Sequence, residues 1–275
     1  MKKGILVVSF GTSYMDALKN SIENIENKIK ENFKEYELKR AFTSHKIIRK
    51  IKNRDNIHIN TPEEALEEMK REGYEEIIVQ PLHIIPGEEY DYVLKVVNSF
   101  KEDFKYIEVG RPVFFYEGID ELPRDYHIFI DSIESIIPKE GGAVLFGHGT
   151  AHSANAVYGC IQCVFQDRDY DNVFVGTVEG YPSFKDVLKR IKKQNLKEVT
   201  LIPLMVVCGD HAMNDMASDE EDSWKTLLEN EGIKATPYLH GLGEIDAFGD
   251  IYVNHIKDVI DGEILSHGKT KKGGK

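Results

Sequence analysis

The sequence predicts an α/β protein built from two similar doubly wound parallel-sheet lobes around a central cleft, and three observations carry that expectation. Short apolar, β-branched runs alternate with amphipathic helical stretches, the pattern of βαβ units. The runs are continuously apolar rather than alternating, as in strands covered by helices on both faces. The chain also repeats itself. Glu75-Glu76-Ile77-Ile78-Val79-Gln80-Pro81-Leu82 matches Lys197-Glu198-Val199-Thr200-Leu201-Ile202-Pro203-Leu204 at an offset of 122 residues, and the register continues through Gly87 with Gly209 and Glu89 with His211. Val8-Ser9-Phe10-Gly11-Thr12 matches Phe146-Gly147-His148-Gly149-Thr150 at an offset of 138 residues. A repeat of this length is too long for a solenoid unit and points to duplicated lobes.

In chain order, strands are expected at 5–10, 37–42, 77–83 and 107–114, then at 143–147, 173–178, 199–207 and 235–239. Stretches such as 62–72 and 184–194 carry apolar residues at helical spacing. Asp219-Glu220-Glu221-Asp222 reads as a solvated first helical turn after Ser218. The expected division is an N-terminal lobe over 1–136 and a C-terminal lobe over 137–267. A basic, glycine-rich disordered tail is expected over 268–275.

The 275 residues suffice for two modest domains. No apolar run approaches the roughly 20 residues of a membrane span. The apolar start is cut short of a signal-peptide core at Ser9-Phe10-Gly11, so a cytoplasmic protein with no membrane partner is expected. A formal charge of −12 argues against a nucleic-acid partner. Three cysteines do not make a disulfide framework.

Ligands of open α/β sheets bind beyond the carboxyl ends of the strands. Three loops there stand out in the second half. Phe146-Gly147-His148-Gly149-Thr150-Ala151-His152 flanks an imidazole with glycines. Thr177-Val178-Glu179-Gly180-Tyr181-Pro182 sets a carboxylate just after a strand. Val207-Cys208-Gly209-Asp210-His211-Ala212-Met213-Asn214-Asp215 brings a second imidazole. Taken singly, His148 serves equally well as a structural hydrogen bonder, Glu179 reads as a solvated loop carboxylate, and His211 beside Asp210 reads as a local cap. Placed on one rim, two imidazoles and a carboxylate suit a borderline divalent metal with open coordination positions, and the same groups can accept protons.

Other residues read more ambiguously. Cys160-Ile161-Gln162-Cys163 is a lone C-x-x-C in an apolar helical stretch, expected to be two buried cysteines. His152 could assist a metal, cap a helix or touch a ligand. In the first half, His83 and Glu89 could face the cleft, though carboxylates such as Glu88 and Glu89 are common at helix N-termini. Phe10-Gly11-Thr12-Ser13 resembles a small anion-binding turn without the spacing of a nucleotide-binding loop. Arg40, Lys46, Arg49 and Lys50 form a basic cluster near a strand end.

Together these segments resemble the CbiK-type anaerobic sirohydrochlorin cobaltochelatases, within the class II chelatases that include ferrochelatase. The resemblance runs through Leu6-Val7-Val8-Ser9-Phe10-Gly11-Thr12-Ser13-Tyr14, Arg40-Ala41-Phe42-Thr43-Ser44, Ile47-Ile48-Arg49-Lys50, Leu82-His83-Ile84-Ile85, Gly147-His148-Gly149, Glu179-Gly180-Tyr181-Pro182 and Gly209 to Asp219. Asp222-Ser223-Trp224-Lys225 and Gly241-Leu242-Gly243-Glu244 extend it. It implies a chelatase-like fold of two flavodoxin-like halves and ATP-independent insertion of Co2+ into sirohydrochlorin, or a close precorrin, during anaerobic cobalamin synthesis, with release of two protons. It places metal ligands and catalytic groups on His148, Glu179 and His211, with Co2+ as substrate metal and no nucleotide cofactor. Phe10, Gly11, Thr12, Ser13, Arg49, His83 and Glu89 are the expected contacts to the tetrapyrrole. A homo-oligomer is left open. The rival expectations are a sirohydrochlorin ferrochelatase, a nickel chelatase, and a non-catalytic carrier of metal or tetrapyrrole.

Overall fold

The computed structural model describes residues 1–118 and 122–262. The expected tail over 268–275 lies outside the described residues. Two four-stranded parallel sheets form the frame. The first is ordered β2-β1-β3-β4, from β1 (Lys2–Ser9), β2 (Glu37–Phe42), β3 (Tyr74–Pro81) and β4 (Tyr106–Val109). The second repeats that order as β6-β5-β7-β8, from β5 (Gly142–Gly147), β6 (Val173–Thr177), β7 (Glu198–Pro203) and β8 (Lys234–Pro237).

The repeat seen in the sequence is therefore a repeat of topology and register. Val8 pairs with Pro81 in one sheet, and Phe146 with Pro203 in the other. Both prolines stand at the last position of a central strand, where a backbone donor is missing and one further bond follows, from Leu82 N–H to the Val8 carbonyl at 2.7 Å and from Leu204 N–H to the Phe146 carbonyl at 2.8 Å. The expected strands at 77–83 and 199–207 accordingly stop short, at Pro81 and Pro203. The expected strand at 107–114 ends at Val109, because the chain turns there to bury Arg111.

Both faces of each sheet are covered, which is why the strands read as unbroken apolar runs. In β1, Ile5 and Val7 face one core, while Leu6 and Val8 face another. The larger core is shared by the two sheets. It joins Ile5, Val7 and Ile78 of the first to Ala143, Leu145 and Ile202 of the second. Between them pack α2 (Glu23–Asn32), α6 (Asp125–Ile133), α7 (Ala156–Asp167) and α10 (Asp246–Asp261). The last helix crosses back to the first sheet: α10 packs on α2, α6 and β3, and its Tyr252 hydroxyl donates to the Leu82 carbonyl at 3.0 Å. No helix among the described residues is long and apolar enough to cross a membrane.

The helices begin where local chemistry dictates. In α4 (Pro62–Arg71), Thr61 and Glu64 form a reciprocal capping box with proline at the first helical position. Ser44 caps α3 (His45–Asp55) by accepting from the Ile47 N–H. The acidic run 219–222, expected as a first helical turn, instead precedes the helix. Ser223 is the cap, and α9 (Trp224–Asn230) starts one residue later.

Candidate metal centre

In this strand order the connections leaving β5 and β7 diverge to opposite sides, which opens a crevice between adjacent strand ends. His148 follows β5 and His211 follows β7. The topology thus brings together two residues separated by 63 positions. Their Nε2 atoms lie 3.1 Å apart, and the rings meet edge to face with centroids 4.5 Å apart.

Each ring is oriented through its other nitrogen. His148 Nδ1 lies 3.0 Å from the Gly149 carbonyl oxygen. His211 Nδ1 lies 2.5 Å from Asp215 Oδ2, one helical turn further along the chain. A carbonyl and a carboxylate only accept hydrogen bonds, so the partners assign an N–H to Nδ1 of both rings. Both Nε2 lone pairs then face each other, an arrangement that calls for a shared cation. With the metal–nitrogen bond of about 2.0–2.1 Å typical of a borderline divalent ion, 3.1 Å between donors subtends roughly 100° at the metal. That leaves the remaining coordination positions open.

Glu179 is held beside this pair through its backbone. Its N–H donates to the His148 carbonyl at 2.8 Å, and Val178 N–H to the Gly147 carbonyl at 3.1 Å. Gly149 makes this docking possible. It has φ +83°, and a Cβ there would lie 2.7 Å from the Gly180 nitrogen. The Glu179 carboxylate is exposed and stands 4.0 Å from His148 Nδ1, on the far side of that ring from His211. The structure therefore joins the two imidazoles directly and sets Glu179 alongside. Among the described residues no three His, Cys, Asp or Glu side chains are grouped to hold a metal ion.

The two strand-end crevices face each other. Tyr14, from the loop after β1, donates its hydroxyl to Asp210 Oδ1 at 2.9 Å, and that hydrogen bond, with burial and the carboxylate charge, raises the phenol above its ordinary pKa. Asp91, in α5 (Glu88–Ser99), lies 3.3 Å from His152 Nε2. His152 Nδ1 accepts from the Ala154 N–H and caps the short turn there. His152 is thus a cap and a bridge between lobes. Nearby, Pro86, Tyr126, His152 and Cys160 line a cavity of about 330 Å³.

The expected tetrapyrrole contacts separate into accessible and inaccessible groups. Phe10 is 50 % exposed. Gly11 has φ +92° and packs so closely on the Phe42 ring that a Cβ would lie 2.4 Å from it. Thr12 and Ser13 are buried, and the Thr12 hydroxyl accepts from the Tyr14 N–H. Glu89 sits partly buried in the first turn of α5. His83 is partly exposed as a residue, but both ring nitrogens are shielded from solvent and have no hydrogen-bond partner. Burial holds its pKa down at about 4. In this conformation its nitrogens are withdrawn from the cleft.

The basic cluster also divides. Arg40 is engaged by Glu26 at 2.5 and 2.7 Å and by Glu23 at 3.1 Å, so it is no free donor. Lys46, Arg49 and Lys50 on α3 are exposed. Lys50 Nζ lies 5.7 Å from the Tyr14 ring centre, and Arg49 Nε reaches only its own helix at the His45 carbonyl. The expectation of two buried cysteines fails: Cys163 is exposed and Cys160 is partly buried, because Cys163 falls on the outward face of α7.

Asp215 is a functional group that no motif in the sequence marks. Its i, i+4 spacing from His211 within a helical turn was the available signal.

A model of the cobalt chelatase (CbiK) family matches residues 3–261. The sirohydrochlorin cobaltochelatase of Salmonella typhimurium is 37 % identical over 264 residues, covering 95 % of this chain and 97 % of that protein. The sirohydrochlorin cobaltochelatase CbiKC of Nitratidesulfovibrio vulgaris is 30 % identical over 261 residues, covering 93 % and 89 %. Among solved structures, the sirohydrochlorin chelatase SirB of Bacillus subtilis subspecies spizizenii in complex with cobalt superposes with a TM-score of 0.66 at 16 % identity. That match covers 96 % of this chain and 97 % of SirB and shows a common fold.

Proposed function

The chain belongs to the cobalt chelatase (CbiK) family, and from that premise we propose that it is a sirohydrochlorin cobaltochelatase, inserting Co2+ into sirohydrochlorin without ATP. The observation that carries the reading to this chain's own residues is the facing Nε2 pair of His148 and His211 at 3.1 Å. Two neutral imidazoles with open positions beside them hold a borderline divalent ion while leaving room for incoming pyrrole nitrogens.

The macrocycle enters between the opposed strand-end loops. Large apolar side chains left exposed there, Phe10, Tyr14, Tyr181 and Met213, offer its flat face a surface. Its carboxylates meet Lys46, Arg49 and Lys50, a local basic face on a chain of net charge −12. Gly11 and the backbone N–H groups around it line the same rim.

Co2+ exchanges stepwise from His148 and His211 to the macrocycle nitrogens. Each metal gained costs the tetrapyrrole two N–H protons. An imidazole freed of metal has an open lone pair for one. The Glu179 carboxylate, exposed beside His148, takes the other. Both groups then release their protons to solvent.

Multiple turnover is the test. Sirohydrochlorin is mixed anaerobically with catalytic amounts of enzyme and Co2+, Fe2+ or Ni2+ in turn, and the absorbance change is followed against enzyme-free controls. Acceleration beyond one equivalent, greatest with Co2+, is expected. Faster turnover with Fe2+ or Ni2+ overturns the metal assignment, and binding without turnover makes the protein a carrier.

A further inference from the structure

We propose that Tyr14 is a positioning residue for metal binding: from the first lobe, through Asp210, it fixes the backbone that carries His211. The inference rests on the reading of His211 as a metal ligand.

Tyr14 is itself held firmly. Its N–H donates to the buried Thr12 hydroxyl at 3.1 Å. Its carbonyl accepts from the Leu18 N–H at 2.9 Å, at the start of the helical segment after β1. Its hydroxyl then reaches across 196 positions of sequence to Asp210 Oδ1, at 2.9 Å.

Asp210 immediately precedes His211, and the turn carrying both is a single short one, closed by Met213 N–H on the Gly209 carbonyl at 3.0 Å. A shift of Asp210 is therefore a shift of the His211 backbone. Asp215 controls how the His211 ring rotates, but it travels on the same turn and cannot fix that turn relative to His148. The Tyr14 contact is anchored in the other lobe and can.

As a contribution to stability this bond is minor, since exposed polar contacts are worth little. Its weight lies in geometry, because a ligand displaced by even a fraction of an ångström from a two-imidazole clamp loses much of its grip. The bond also spans the gap that a macrocycle must enter. Entry that separates Tyr14 from Asp210 would relax His211 and favour handover of the metal.

The experiment is equilibrium Co2+ binding to the full chain without tetrapyrrole, by competition with a chromophoric chelator. Steady-state KM and kcat are measured for each substrate alongside. Tyr14→Phe and Asp210→Ala are each expected to weaken Co2+ binding about tenfold, in the range for outer-sphere partners of a metal ligand. The double variant should be no worse than either single one. Asp210→Asn, which keeps an oxygen acceptor for Tyr14, should lose less than Asp210→Ala. KM for Co2+ should rise, while sirohydrochlorin binding, which no longer has to separate Tyr14 from Asp210, should not weaken in Tyr14→Phe, whose ring remains. Wild-type Co2+ binding by Tyr14→Phe, with binding lost in His211→Ala, overturns the role of Tyr14 alone. Wild-type binding by His211→Ala overturns the site assignment on which the inference rests.

Discussion

His148 and His211 point their Nε2 atoms at each other across 3.1 Å, while each turns its Nδ1 to a fixed oxygen. The two oxygens are not equivalent. Gly149 offers a backbone carbonyl that no substitution of its side chain removes, whereas Asp215 is a side chain that can be changed. Asp215→Asn removes the carboxylate that fixes the His211 tautomer and strengthens the ring as a donor. Co2+ affinity is expected to fall roughly 10- to 100-fold, with thermal stability little changed. Chelator competition and a melting curve on the same sample check both.

Gly149 couples the His148 loop to the Glu179 loop. Gly149→Ala places a Cβ in a left-handed backbone conformation and 2.7 Å from the Gly180 nitrogen, with Thr177 and Glu179 also close. The left-handed conformation costs about 1–2 kcal/mol, and the clash is relieved only by moving the 177–182 loop away from His148. Insertion is expected to drop at least tenfold while the protein stays folded at 25 °C. Initial rates and urea denaturation separate the two effects.

The lobes are also tied by a buried ionic cluster. Arg111 is bound by Asp125 at 3.0 Å and by Asp258 of α10 at 2.6 Å, and His255 donates its Nδ1–H to the Arg111 carbonyl at 2.9 Å. Burial alone would raise the Asp125 carboxyl, but His255 and Arg111 outweigh it and hold the group below the usual carboxylate range. A depressed carboxylate stabilises the fold above its unfolded pKa of about 4, and that stability is lost as pH falls further. Asp125→Ala leaves Arg111 partly uncompensated and is expected to cost about 3–5 kcal/mol at neutral pH. The difference from wild type should shrink below pH 4. Urea titrations at pH 7 and pH 3.5 measure it.

His83 contributes with the same sign in a higher window. Its folded pKa is about 4, against the ordinary 6.5, because its nitrogens are buried without partners. The unfolded chain therefore binds a proton that the folded chain refuses. Stability is complete above pH 6.5 and declines as pH falls towards 4, by about 3 kcal/mol in all. His83→Met, the residue that the repeat sets at Met205, should flatten this slope without loss at pH 7.5. Unfolding free energies at pH 7.5, 5.5 and 4.5 test it.

The fold was legible because its evidence is local and repeated. Pro81 and Pro203 share one register in two sheets, and the repeat announced this. The sequence does not mark the strand ends, because apolar residues such as Leu82 and Leu204 continue the run but fill the core from loops. His148 stands out because it follows β5 directly, and His211 because it lies in the loop beyond β7. Other features depend on partners distant in sequence. Glu26 withdraws Arg40 from solution across 14 positions, and Tyr14 finds Asp210 only because the two crevices face each other. No spacing rule encodes either contact.

Insertion requires the two imidazoles to act as one metal clamp. The direct measurement is anaerobic Co2+ insertion into sirohydrochlorin by wild type, His148→Ala and His211→Ala, with tetrapyrrole binding measured in parallel. Wild type is expected to turn over many times. Each variant should lose insertion by on the order of 100-fold or more while binding sirohydrochlorin as wild type does. Insertion at the wild-type rate by either variant would contradict the two-imidazole clamp.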